Sequence, residues 1–401
     1  MSEAGTKSDP GSAVGRQGRS IIYLVTEDWY FLSHRLPMAR AAQRAGYRVH
    51  VATRVDKGGA EIEALGFTLH RLDWQRGSTN PLHLVSMVRQ VRALYQRVKP
   101  DLAHHVGLQA SVVGSLAALG LPLARVNAMT GLGFAFTSRR MKARLLRPFL
   151  SLLLRLLMRN PAAMALVQNP DDRDGLIGMG VRSAHVALIP GSGVDVDNFV
   201  PLPEPEGEVN VAFVGRLLDD KGIRPLIAAH QMMTDNGETV RLLIAGEPDP
   251  ANPASIPQGE IAAWGRRPMV EVLGQVDDIR TVWARAHVAV LPSRREGLPL
   301  SLLEAAACGR PIVASDVPGC REIAQHDVNA FLVPADDPGP LAGALTVLAR
   351  EPALRARFGA AGRALAEDRF SSRQIGVATV ELYDRLLKID GGLLPLPARA
   401  S

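Results

Sequence analysis

Short apolar runs alternate with longer helical stretches along almost the whole chain, and the alternation breaks once. IIYLVT (21–26) leads into a helical run that Gly46 ends within RAGYRVHVAT, where the next strand begins. DLAHH (101–105), ARVNAM (124–129), AMALVQ (163–168) and HVALIP (185–190) follow as strand candidates. PLPEPEGE (201–208) then interrupts with three prolines. After it the pattern restarts with VNVAFVG (209–215), VRLLIAG (240–246), VEVLG (270–274), HVAVLP (287–292), PIVAS (311–315) and AFLVP (330–334). Such alternation predicts mostly parallel sheets covered by helices. The proline-rich break reads as a linker between two α/β domains. A length of 401 residues also asks for two cores. The predicted boundaries are a loose tail at 1–19, an N-terminal domain at 20–203 and a C-terminal domain at 204–375. A helix and tail at 376–401 can cross back to the first domain. Two such domains leave a cleft between them, and open α/β sheets bind ligands at the carboxyl ends of their strands.

Hydrophobic content of 47% and charged content of 21% fit a folded protein. Residues 1–19 are small and polar with no apolar h-region, unlike a signal peptide. Two cysteines, Cys308 and Cys320, form neither a disulfide framework nor a zinc pattern, which suits a reducing cytoplasm. The net charge is +6, and residues 138–160 alone carry seven Arg or Lys and no acid. Without them the chain would carry −1, so the basic character is confined to one segment. There Arg140, Arg144, Arg147, Ser151, Arg155 and Arg159 recur at steps of three and four beside a wide leucine-rich face. A buried helix with a solvated stripe explains that pattern. Docking on an anionic membrane also explains why every charge is positive. No run reaches the roughly 18 apolar residues a spanning helix needs. Nucleic-acid binding is disfavoured, because aromatic content is 5% and the charge sits on a leucine-rich helix.

Three stretches of the second half follow strands and belong at one sheet edge. In VGRLLDDKG (214–222), Arg216 and Lys221 can clamp a diphosphate, one by a bidentate fork and one as a point charge. In SRREGLPLSLLEAAACGRP (293–311), a helix is predicted from about Pro299 to Cys308, with Gly309 as its stop. Its first amides favour an anion. Glu296 precedes that helix and Glu304 lies more than a turn inside it, among leucines and alanines. A buried Glu without a partner is costly, so a purpose is expected. Two carboxylates flanking a phosphate site suit a ligand with hydroxyls on both sides of a diphosphate, which is the shape of a nucleotide sugar. Glu296 would then hold sugar hydroxyls and Glu304 ribose hydroxyls.

GRLLDDKG, EGLPLSLLEAAACGRPIVASDVPGCREI and LIPGSGVDVDNF (188–199) together resemble the family-4 retaining glycosyltransferases with the GT-B fold. The resemblance runs from about residue 21 to 388. It implies two Rossmann-like domains facing each other across a cleft. It also implies a nucleotide-sugar donor, UDP-linked, held by Arg216, Lys221, Glu296, Gly297, Leu298 and Glu304. No cofactor and no metal are implied, and the transfer is of a hexosyl or N-acetylhexosaminyl group. GEPDPANP (246–253) and TEDWYFLSHR (26–35) further resemble a bacterial subgroup that extends undecaprenyl-diphosphate-linked saccharides in cell-surface polysaccharide or glycan assembly. That implies work on the inner face of the cytoplasmic membrane, with Arg140, Arg144, Arg147 and Arg155 on the membrane.

The first half departs from the family pattern. Many members have a His-x-His pair where this chain reads PDLAHHVGLQAS, and the second position here is Val106. His104 is the candidate catalytic histidine and His105 a candidate for the acceptor. Adjacent strand residues face opposite sides, so at most one points into a site, and a structural role is open for each. Where relatives have a glycine-rich loop after the first strand, this chain has Glu27, Asp28, His34 and Arg35, polar groups for an acceptor and its lipid diphosphate. Asp195-Val-Asp197 reads as a structural turn and not a metal site.

A nicotinamide dehydrogenase would need G-x-G-x-x-G after a strand, and neither GLGFAF nor GSGVDV supplies it. A membrane adaptor would explain the basic segment and not Arg216, Lys221 and the paired glutamates. A nucleotide-sugar epimerase of the same two-domain architecture is the alternative to glycosyl transfer.

Overall fold

A computed structural model describes residues 15–74, 80–129 and 151–388. The chain divides into two compact units. One comprises the residues up to Ser192 with those from Arg373 onward, and the other is Gly193–Ser372.

The first unit is built on seven parallel strands, β1 (Ser20–Glu27), β2 (Arg48–Arg54), β3 (Thr68–Arg71), β4 (Leu102–Val106), β5 (Ala124–Ala128), β6 (Ala163–Val167) and β7 (Val186–Leu188). Their order is β3-β2-β1-β4-β5-β6-β7. β1 and β4 are almost wholly buried because both of their faces are covered. Ile21, Tyr23 and Val25 point into a core shared with α1 (Asp28–His34), α2 (Leu36–Arg44) and a helix that returns from the far end of the chain. Ile22 and Leu24 point the other way, onto α3 (Pro81–Val98) and α4 (Leu108–Ala117).

The second unit repeats the plan with β8 (Val209–Val214), β9 (Val240–Ala245), β10 (Val270–Gly274), β11 (Val288–Leu291), β12 (Ile312–Ser315) and β13 (Ala330–Val333). All are parallel, in the order β10-β9-β8-β11-β12-β13. In each sheet the winding reverses at one place, between β1 and β4 and between β8 and β11, the topological switch points of doubly wound folds.

PLPEPEGE lies extended along the second unit. Leu202 N–H donates to the Cys308 carbonyl at 3.1 Å, Arg310 Nη2 to the Pro203 carbonyl at 2.8 Å, and Glu204 pairs with Arg355. Pro203 removes a donor where the segment uses the carbonyl instead. After Ser372 the chain returns to the first unit as α5 (Ser372–Leu387). There Asp384 holds Arg16 at 2.6 Å and accepts from Tyr47 Oη at 2.5 Å.

No helix among the described residues is long and apolar enough to cross a membrane. Of the basic segment, residues 138–150, with Arg140, Arg144 and Arg147, lie outside the described residues. Its described part is a helix over 151–157. Leu154, Leu157 and Met158 are buried against Leu176 and Val181. Leu152 and Leu156 are 53% and 50% exposed, and Arg155 and Arg159 are exposed beside them. The leucine-rich side is therefore split: part of it is core, and part shares the solvent face with the arginines.

Candidate functional site

The second unit gathers its charged groups at the carboxyl ends of β8, β9 and β11. After β8 the chain turns through Gly215 to Arg216, then through a short 3-10 turn, Asp219–Lys221. Gly222 closes that turn in the left-handed region, at φ +71°, and a Cβ there would sit 1.9 Å from the Pro292 carbonyl oxygen. Only glycine permits so close an approach to the end of β11. The approach brings Lys221 to Glu296, with Nζ 2.6 Å from Oε1. Ser293 Oγ donates to the same oxygen at 2.6 Å, and no described residue bonds Oε2. The two loops are further stitched by Arg294 to Asp219, Arg295 to Asp220, and Arg294 N–H to the Asp220 carbonyl at 2.9 Å.

Arg216 has its own carboxylate. Gly246, after β9, passes so close to Gly215 that a Cβ would lie 1.9 Å from its carbonyl oxygen. The following loop carries Asp249, whose Oδ2 accepts from Arg216 Nη1 at 2.7 Å. Asp249 is recessed and Arg216 half-exposed.

The helix predicted from Pro299 is α6 (Leu300–Ala307), with Pro299 as its N-cap. It ends in a Schellman motif: Gly309 N–H bonds the Ala306 carbonyl and Arg310 N–H the Ala305 carbonyl, both at 2.9 Å, with Gly309 at φ +71°. Glu304 keeps part of its surface open, yet the protein packed round its carboxyl pushes the pKa up to about 8. The neighbouring Trp283 indole opposes that rise, although its Nε1 makes no hydrogen bond of normal geometry. Gly297 and Leu298 span the turn between the glutamates, both partly exposed. At the head of the unit Asp195 Oδ1 accepts from the N–H groups of Asp197 and Asn198, each at 3.2 Å, as a turn does.

In the first unit the polar residues after β1 have diverse surroundings. Glu27 pairs with Arg54 at 3.1 Å. Asp28 is buried and braces a loop, accepting from the N–H groups of Asp56 at 2.8 Å and Gly58 at 2.7 Å as well as from Trp29. His34 is half-buried, stacked on Tyr30 with centroids 4.3 Å apart, and its Nδ1 bonds Ser33 Oγ at 2.6 Å. Arg35 is buried.

Both histidines lie inside the first unit. His104 and His105 sit in β4, fully buried and on opposite faces. His104 is paired in register with Tyr23, in mid-strand and away from the strand's end, and its Nδ1 bonds Tyr383 Oη at 2.6 Å. His105 bonds Tyr95 Oη at 2.9 Å and Asn127 Oδ1 at 2.7 Å, using both ring nitrogens, and burial pushes its pKa down to about 4. Asp28, His104 and His105 are thus each engaged in the packing of the first unit, the structural role that the sequence leaves open for both histidines. The sequence reading in turn passes over Ser293 and Asp249, partners of Glu296 and Arg216. Their signal was position: each lies within a few residues of a strand's carboxyl end on a loop already under suspicion.

Residues 208–351 match the family described as glycosyl transferases group 1, and residues 20–165 the family described as glycosyl transferase 4-like. The chain is 24% identical over 383 residues to the N,N'-diacetylbacillosaminyl-diphospho-undecaprenol alpha-1,3-N-acetylgalactosaminyltransferase of Campylobacter jejuni, covering 89% of this chain and 98% of that one. Its fold is similar to sucrose-phosphate synthase from Thermosynechococcus elongatus, with a TM-score of 0.78 and 21% identity over 92% of this chain and 99% of that one. It is similar also to Anabaena HepE, solved in complex with UDP and glucose, with a TM-score of 0.73 and 19% identity over 91% and 99%.

Proposed function

Since the chain is a glycosyltransferase with the GT-B fold, its two halves matching the 4-like and group 1 families, we propose that it transfers a sugar with retention from a UDP-sugar to an undecaprenyl-diphosphate-linked saccharide in cell-surface glycan assembly. The families matched are of glycosyltransferases, which sets the epimerase alternative aside. The Campylobacter relative is named for a diphospho-undecaprenol acceptor, and HepE was solved with UDP. The observation that carries the reading is the gathering of Arg216, Lys221 and Glu296 at the switch point of the second sheet, ahead of the first turn of α6.

In this reading Arg216, Lys221 and the backbone at Gly297 and Leu298 receive the diphosphate. Glu296 takes a hydroxyl of the donor sugar on Oε2, and Glu304 takes the ribose. As the bond from C1 to the phosphate oxygen breaks, negative charge grows on the diphosphate and positive charge on C1. Fixed cations stabilise the leaving group most where its charge is largest, in the transition state. The acceptor oxygen forms its bond to C1 on the face the diphosphate leaves, and its proton passes to a diphosphate oxygen. The cations do the work a metal would otherwise do, so EDTA leaves the rate unchanged. Glu27 and His34 are the groups after β1 that meet the acceptor. The face bearing Leu152, Arg155, Leu156 and Arg159 meets the anionic inner leaflet of the cytoplasmic membrane.

The test is a panel of nucleotide sugars offered with a polyprenyl-diphosphate-linked saccharide in vesicles. Transfer with retained anomeric configuration, insensitive to EDTA, is expected. A product of inverted configuration, or activity restored only by added magnesium or manganese, overturns the mechanism. Conversion of the donor without any acceptor would return the epimerase.

A further inference from the structure

The first unit contains a buried charge that the structure leaves without a counter-ion. Arg35 stands at the junction of α1 and α2, where its N–H closes α1 on the Phe31 carbonyl at 2.8 Å. The residue is 1% exposed. Its Nη1 reaches the sulfur of Met38 at 3.5 Å, a weak acceptor, and Nε and Nη2 have no partner. The carboxylates nearest in sequence and on the facing helix are engaged elsewhere: Glu27 with Arg54, Asp28 with three backbone N–H groups, Asp384 with Arg16 and Tyr47. A buried guanidinium without an opposite charge is among the costliest arrangements in a protein.

The groups that Arg35 acts on add no negative charge. Burial, and then the charge of Arg35, hold the His104 imidazole well below its usual pKa, so the ring is neutral. The same charge acts on Tyr23 and Tyr383. The three rings form a chain, with Tyr23 Oη 2.8 Å from Tyr383 Oη and Tyr383 Oη 2.6 Å from His104 Nδ1. If Tyr23 donates to Tyr383 and Tyr383 to Nδ1, every hydroxyl proton is used. The reverse order leaves the Tyr23 proton without an acceptor. In the first order the imidazole proton must sit on Nε2, which is itself buried and without a partner. Arg35 Nε and Nη2 and His104 Nε2, all buried, therefore find no partner among the described residues, and the charge of Arg35 finds no opposite charge.

That inventory selects the ligand. A water molecule would accept from these donors and bring no charge. A proton-free anion accepts from all sides and supplies the missing charge. We propose that Arg35 and His104 hold a small inorganic anion, of the halide class, inside the first unit. It pins the junction of α1 and α2 to β1 and β4. The polar stretch 27–34 is thereby carried on a fixed support.

The direct test is a crystal of the wild-type protein grown in bromide, with data collected at the bromine edge. An anomalous peak between Arg35 Nε or Nη2 and His104 Nε2 is expected, and a map without one overturns the proposal. In solution, chloride replacing gluconate at constant ionic strength should raise the melting temperature saturably, by about 2–4 °C for a unit of this size. Arg35→Met keeps the length of the side chain and removes the charge. It should melt alike in both salts, and in gluconate no lower than the wild type, since an uncompensated charge has gone. A variant that keeps the wild-type response to chloride also overturns the proposal. The bromide map depends on no variant, so a substitution that fails to fold leaves the test intact.

Discussion

Glu296 and Glu304 stand eight positions apart and meet very different electrostatics. Glu296 is held by an ammonium and a hydroxyl, both within 2.6 Å of one oxygen. Glu304 is crowded by apolar neighbours, and burial raises it from 4.5 to about 8. Its folded pKa exceeds its unfolded one, so the folded protein binds the extra proton between about pH 4.5 and 8. The stability from this group is full below about 4.5 and is lost as pH rises towards 8. If ribose hydroxyls bond the ionised form, UDP binding near pH 7 must release up to one proton. Titration calorimetry in buffers of different ionisation enthalpy should detect it in the wild type and not in Glu304→Gln, and an equal proton count in both proteins refutes it. The same substitution should raise the donor KM about tenfold, the scale of a hydrogen bond to a charged group. Glu296→Gln should instead cut kcat by roughly 10²-fold or more, because its contact strengthens as C1 becomes cationic. Asp249→Asn asks whether the recessed carboxylate aims Arg216. Turnover should fall with little change in UDP affinity, and tighter UDP binding would mean that Asp249 merely competes with the diphosphate. At this scale the sequence singles out Arg216, Lys221 and Glu296, each beside a glycine, and Glu304 as a carboxylate inside an apolar helix. It hides Asp249, because its role depends on Gly246 bringing separate loops into contact, a long-range event, and it hides Ser293, three residues before Glu296, because the fold of their shared loop decides that contact.

Elements are legible where burial is two-sided. β1, β8, β9 and β11 are mostly apolar runs because helices cover both faces, and the reading of each as a strand agrees with its observed range to within a residue or so. β3, with the sequence TLHR, is missed because it is a short edge strand with no fully buried residue. The 151–157 helix shows the limit of periodicity. Its leucines recur as an amphipathic pattern requires, yet only packing decides which of them are core. Leu152→Ser with Leu156→Ser should weaken binding to neutral and anionic vesicles alike, since the apolar contribution is lost. Arg155→Gln with Arg159→Gln should weaken anionic binding alone, by about fivefold per charge. Sedimentation with vesicles, alongside a melting curve, checks both pairs, and two pairs that sediment like the parent remove the docking face.

At the scale of the whole molecule, the first unit is made from both ends of the chain. α5 supplies Tyr383 to the hydroxyl chain and Asp384 to Arg16 and Tyr47. Gly376 lets the helix lie against α2, where a Cβ would come within 2.7 Å of the Ala41 side chain. Asp384→Ala leaves the Arg16 charge and the Tyr47 hydroxyl unpaired and should cost about 3–5 kcal/mol. Hydrogen exchange should then quicken in β1, β2 and β4 while β8, β9 and β11 keep their protection. Uniform loss across both sheets would mean that α5 does not serve the first unit alone.

The return of α5 also sets a timetable for synthesis. On the ribosome the first 192 residues emerge without the helix that covers one face of their sheet. Gly193–Ser372 follows as an uninterrupted stretch and can fold as soon as it clears the exit tunnel. At roughly 5–20 residues per second, the earlier-made half waits some tens of seconds with Tyr23, Met38 and Ala42 uncovered. The part translated first is completed last. A nascent chain stalled before residue 372 therefore presents an open apolar sheet face to chaperones, and a translation pause before α5 is made prolongs that exposure.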